Sequence, residues 1–291
     1  MILSAIVRRN AKARARALAT PRNENIPAPR YPIVLVHGLF GYDTLFGITT
    51  YWHDIPEALA AAGAEVLVAR VPSTSSVETR AAQLAAQIAL KYTGRSVHLI
   101  GHSMGGLDCR YLVSKLLDGA GFRVLSVTTI STPHRGSPLA DFGAATKVAK
   151  LPGIHRAMNK LPFGDGDGQA YACLTTANAH AFNASTPDVA GVRYFSWGAS
   201  FNPGPLDLIG WGAYQPFLHA VEGPNDGAVS VRSAQWGEYL GTIPGVNHTE
   251  IVGHKVYSCV LRGEAALFDH GGFYVRHASM LAQEVEAQWA R

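Results

Sequence analysis

Three residue types that can together split an ester or amide follow one another along this chain. Ser103 comes first, an aspartate next and a histidine last. Ser103 sits in Gly101-His102-Ser103-Met104-Gly105, between the apolar run Val97-His98-Leu99-Ile100 and a helical pattern that begins at Leu107. A serine hydroxyl is a weak nucleophile until a base takes its proton and a carboxylate orients that base. On a strand–serine–helix corner the acid is expected next and the histidine last. Asp226, in EGPNDGAVS, is flanked by turn residues after FLHAVE, where a late strand is expected; Asp207 and Asp188 are rivals in poorer contexts. His248, in PGVNHTEIVG, lies in a loop-like stretch, and His254, His270 and His277 are the alternatives. Spacing alone does not choose among these histidines.

Gly-x-Ser-x-Gly is weak evidence in a chain with 30 glycines. Its context is more specific. A tight strand-to-helix turn brings helix and strand together, so the positions two before and two after the serine must be very small; Gly101 and Gly105 meet that need. The helix start also aims backbone N–H groups and the positive dipole end at the place where an oxyanion would form. The amide of Met104 is one such donor, its side chain being incidental to that role. The second donor is expected from the loop after the first strand, HGLFG at 37–41, with the amide of Leu39 as the candidate.

The elements around these residues read as strands at 31–37, 65–70, 97–101 and 123–131, with helices near 51–62, 77–91 and 107–118. Ser75 and Glu78 suggest a capping box for the second helix. Further strands are expected at 192–199 and just before Gly223, and a closing helix over 273–289. Near-continuous apolar strands alternating with helices predict an α/β fold, a mostly parallel sheet covered on both faces. Regularity lapses over 138–187, apart from a basic, amphipathic helix at 151–161 suited either to a lipid surface or to a satellite core.

A hydrophobic content of 47% and a charged content of 16% describe a globular chain, and no apolar run approaches the ~20 residues of a membrane helix. Residues 1–30 carry seven basic residues against Glu24 alone, leaving 18 basic against 20 acidic residues in the remainder. The near-neutral remainder argues against a nucleic-acid partner. The basic leader fits a mitochondrial transit peptide or a disordered arm that touches a membrane surface, and lacks the charge-then-apolar order of a secretory signal. Cys109, Cys173 and Cys259 cannot all pair with one another and show no metal spacing; a reduced, intracellular compartment fits best.

Taken together, YPIVLVHGLFGYD, HLIGHSMGGLDCRYL, STPHRGSPLAD, LTTANAHAFN, NDGAVS and NHTEIVG resemble, in the same order, the triacylglycerol lipases of the α/β-hydrolase fold, of the Pseudomonas/Burkholderia bacterial type and their fungal relatives. The resemblance covers about 31–255. It implies Ser103 as nucleophile, Asp226 as acid, His248 as base and the Leu39 and Met104 amides as the oxyanion hole. It also implies a 31–291 hydrolase domain behind the 1–30 leader, with a lid insertion at about 138–187 that is shorter than in those relatives. The expected partner is an acylglycerol or other ester, met by a monomer, with contact to a lipid droplet or membrane. The bacterial relatives hold calcium through an aspartate two residues after the histidine; Glu250 stands there, and Asp207 is the nearest second carboxylate. That departure counts against calcium, and no cofactor is expected.

Overall fold

The computed structural model describes residues 27–39, 41, 50–145, 166–204, 210–254 and 268–289. In chain order they form β1 (Ile33–Val36), α1 (Ile55–Ala61), β2 (Val66–Ala69), α2 (Val77–Tyr92), β3 (Ser96–His102), α3 (Met104–Tyr111) and β4 (Arg123–Ile130). After these come α4 (Pro138–Ala145), α5 (Ala170–Cys173), α6 (Thr176–Ser185), β5 (Arg193–Ser200), α7 (Trp211–Glu222), α8 (Val231–Ala234), β6 (Glu238–Pro244) and α9 (His270–Met280). The strands pair in parallel in the order β2-β1-β3-β4-β5-β6. Parallel neighbours need long crossovers, and helices supply them, which is why the central strands are buried on both sides.

Alternation along β1 divides the core. Ile33 and Leu35 point to one face, where they meet Trp52, Ile55 and Leu59 at α1 and Tyr274 and Leu281 at the closing helix. Val34 and Val36 point to the other, against Ala81, Leu84 and Ile88 of α2. All of these are almost fully buried. Such side chains each contribute on the order of 1.5–3 kcal/mol by leaving water, and together they fix the sheet edge from which the functional loops rise.

Several expectations need correction. Helix α2 is capped by Ser76, whose side chain accepts from the Thr79 amide at 3.3 Å; Ser75 is buried and accepts from the Asp167 amide instead, so the capping box is absent. FLHAVE is not a strand but the second half of α7, whose Gln215 and Leu218 are buried despite Pro216 inside the helix. The last strand is β6, a half-exposed edge whose EYLGTIP lacks the apolar run that marks the others. Helix α3 starts at Met104, earlier than the apolar periodicity shows, because glycines occupy its first turn. Within 138–187 the described residues hold α4, α5 and α6, so the stretch is more regular than its sequence suggests; the helix expected at 151–161 lies outside the described residues. No described helix is long and apolar enough to cross a membrane.

Candidate active site

Strand β3 stops at His102, and Ser103 bridges it to α3 with φ 54° and ψ −131°, a conformation non-glycine residues rarely adopt. Such strain costs on the order of 1–3 kcal/mol and survives only where neighbours over-determine it. Here the Ser103 amide donates to the Ile130 carbonyl at 2.9 Å, and the Thr132 hydroxyl donates to the Ser103 carbonyl at 2.8 Å. The flanking glycines are required by contact. A Cβ on Gly101 would sit 2.5 Å from the Gly105 carbonyl group, and one on Gly105 would collide with the Val36 carbonyl oxygen.

The turn aims Ser103 Oγ at His248, whose Nε2 lies 3.0 Å away. On the far side of the ring, Nδ1 lies 2.8 Å from Asp226 Oδ2. The other carboxylate oxygen of Asp226 accepts from the amides of Ala228 at 2.9 Å and Val229 at 2.7 Å, and the His248 amide donates to the Asp226 carbonyl at 2.9 Å. A carboxylate held on so many donors fixes the proton of the imidazole on Nδ1, leaving Nε2 as acceptor for the serine hydroxyl, a tautomer assigned from this network. All three side chains are buried, Asp226 completely. The Asp226 turn follows helix α7 rather than a strand.

The rivals go elsewhere. Asp188 accepts from the Trp236 indole at the surface, and Asp207 lies outside the described residues. His277 is enclosed between Thr128 and Trp197, where burial pushes its pKa down to about 3. His254 bonds the Tyr51 carbonyl, and His270 opens α9.

Among the described residues, no group accepts from the amides of Leu39 or Met104. Met104 holds the first position of α3, where helix amides have no internal partner. Its side chain is not incidental. It is fully buried with Val77, Leu107, Ala140 and Leu174, and Leu39 packs against the same cluster, so one apolar patch anchors both candidate donors.

Several further residues build this corner with no sequence pattern to single them out. The Gly38 amide donates to the Tyr51 hydroxyl at 3.0 Å, and that hydroxyl shares a 2.6 Å hydrogen bond with His102 Nδ1. Burial, with His248 beside it at 4.6 Å between ring centroids, holds His102 well below the usual histidine range and therefore neutral. The loop is also gripped from below: Arg80, fully buried, donates to the His37 carbonyl at 2.6 Å and to Asp108 at 2.8 Å. Trp211 sets its indole edgewise to His248 at 5.2 Å. Farther along α7, Phe217 meets Phe142 of α4 at 5.9 Å, and both are exposed, as are Tyr214 and Val221.

Glu250 stands two residues after His248. Its carboxylate is buried and accepts from the Asn247 amide at 2.9 Å, so it stiffens the turn that carries His248; Asp207, the other carboxylate weighed for calcium, lies outside the described residues.

Residues 31–179 match the family model of the alpha/beta hydrolase fold. The chain is 33% identical to triacylglycerol lipase 2 of Saccharomyces cerevisiae, over 78% of this chain and 81% of that one. It is 36% identical to the triacylglycerol lipase of Vibrio cholerae, over 87% and 88%. Among solved structures, Staphylococcus hyicus lipase superposes with a TM-score of 0.68 at 20% identity, covering 91% of this chain and 98% of that one.

Proposed function

The chain belongs to the alpha/beta hydrolase family and is a serine ester hydrolase; from that premise we propose that it is a triacylglycerol lipase using Ser103, His248 and Asp226. Ser103 Oγ attacks the ester carbonyl while its proton passes to His248 Nε2. The oxyanion turns toward the amides of Leu39 and Met104, and losing one such donor would cost roughly 2.7–4 kcal/mol of barrier. His248 then returns the proton to the departing alcohol, and water, activated by the same imidazole, releases the fatty acid. Asp226 stays ionised and holds the ring throughout.

The observation that carries this reading is the relay itself, with a serine on a strained turn 3.0 Å from an imidazole that is 2.8 Å from a buried carboxylate. The choice of acylglycerols is supported by the apolar rim of Phe142, Phe217, Tyr214 and Val221, which suits acyl chains and a lipid surface. We place the protein inside the cell, working against a droplet or membrane to which the basic leader adds attraction.

Ser103→Ala is expected to lower hydrolysis of emulsified triolein and of p-nitrophenyl butyrate by about 10⁴-fold or more while the circular dichroism spectrum is kept. Undiminished turnover would overturn the mechanism. Wild-type activity confined to dissolved short-chain esters would convert the proposal into a carboxylesterase.

A further inference from the structure

Beyond the relay, the chemistry-bearing side chains that no step above uses converge at the start of α1. His53 and Asp54 precede that helix, and His270 is the first residue of α9, which packs against it. His53 Nδ1 lies 3.1 Å from an Asp54 carboxylate oxygen, and the His53 and His270 rings stand 6.3 Å apart, nearly perpendicular. One nitrogen of each histidine and one oxygen of Asp54 all fall within 4.8 Å of one another. Among the described residues this is the one grouping of three such ligand atoms.

Two local features make the cluster more than a chance meeting of polar side chains. Asp54 occupies the N-cap position of α1, where an aspartate ordinarily accepts a helix amide. Its side chain does not cap the helix; the backbone takes φ 59°, left-handed for a non-glycine residue, and the carboxylate faces His53. Gly253, at φ 90°, lies against the opposite side. A Cβ there would come within 2.7 Å of the His53 carbonyl and 2.9 Å of His270 Nε2, so the glycine keeps open the space between the two histidines.

We propose that His53, Asp54 and His270 bind one divalent transition metal ion, with zinc the best fit. Two imidazoles and one carboxylate, with water in the fourth position, form a familiar zinc donor set. Bonds of about 2.0–2.2 Å in a tetrahedron put ligand atoms roughly 3.4 Å apart. His53 and Asp54 are already near that spacing, and side-chain rotation of half-buried groups closes the rest. Hard cations such as calcium prefer all-oxygen shells and fit poorly.

The ion acts on the architecture rather than on the ester. The His53 amide donates to the Val252 carbonyl at 3.1 Å, and the turn Glu250–Val252 follows directly from His248. A metal joining α1 to α9 therefore clamps the two helices on which the His248 loop rests, and its loss loosens that loop before it disturbs Ser103.

The full chain is stripped with a chelator and titrated with zinc chloride by calorimetry, alongside calcium and magnesium chloride. The expected result is one zinc per chain, a melting temperature raised by several degrees, and neither effect from calcium or magnesium. His270→Ala and, as a nearly isosteric second variant, Asp54→Asn are expected to weaken zinc by roughly tenfold or more and to abolish the thermal shift. Zinc that fails to bind the wild type, or that binds and stabilises both variants as well as the wild type, overturns the proposal. A circular dichroism spectrum unchanged in Asp54→Asn keeps loss of binding separate from loss of fold. Because the readouts are binding and melting, the outcome is independent of whether the enzyme is a lipase.

Discussion

The Ser103 corner and the α4–α7 rim face the same end of the sheet, yet they are packed in opposite ways. At the corner no atom can be added: Gly101 abuts Gly105, Gly105 abuts the β1 carbonyls, and a Cβ on Gly38 would stand 2.6 Å from Ser103 Cβ. At the rim, Phe142 is 61% and Phe217 42% exposed, and the two rings rest largely on each other. The bond-breaking groups thus sit where contact dictates every position, and the groups suited to lipid sit where side chains have room to change. Substitutions on the two sides should differ in size and in kind.

Outside the relay residues themselves, the largest effect is expected at Gly38. Its backbone lies outside the left-handed region, so Gly38→Ala tests space alone. The new methyl must push the 37–41 loop, and with it the Leu39 amide, away from Ser103. A fall in kcat of about 10²-fold is expected, the scale for losing an oxyanion donor, with the melting temperature changing far less. A fully active Gly38→Ala enzyme would break the contrast between corner and rim.

A second, smaller effect concerns acid. His102, His134 and His277 are buried and their pKa values are pushed below the ordinary 6.5, first by desolvation and then by neighbouring positive charge. The unfolded chain binds protons at these sites below that pH and the folded chain does not. Stability is therefore complete above about pH 6.5 and falls as the pH drops, with a slope approaching roughly 1.4 kcal/mol per pH unit for each histidine. Melting curves between pH 7 and 5 are expected to shift steadily downward. A flat profile would mean that these side chains take up protons without unfolding.

The smallest effect belongs to the rim. Phe142→Ser with Phe217→Ser is expected to leave stability within about 0.5 kcal/mol, as exposed positions usually do. Hydrolysis of emulsified triolein should fall several-fold while p-nitrophenyl butyrate is cleaved as before. An equal loss on both substrates would place these rings in the machinery of the corner.

The same contrast explains what is legible in the sequence. The parallel sheet can be read because β1, β3 and β4 are buried on both faces and carry short apolar runs, and the elbow because its glycines are forced by contact. Asp226 and His248 are recoverable from chain order and family likeness, and they lie on the relay. Strand β6 escapes a sequence reading because an edge strand has one wet face and no continuous apolar run. FLHAVE misleads because Pro216 masks a helix whose burial depends on neighbours distant in sequence. Tyr51, Arg80 and Trp211 stay hidden for a related reason: each acts through a partner far along the chain, and no local spacing records that.

The central claim is that Ser103 carries the acyl group. It is tested most directly by treating the protein with diethyl p-nitrophenyl phosphate, a reagent that phosphorylates an activated serine and releases p-nitrophenol, and locating the label by peptide mass spectrometry. The account predicts one label per chain, on the peptide containing Ser103, accumulating in step with the loss of esterase activity. Complete inactivation with the label on another residue, or full activity with Ser103 labelled, would contradict it.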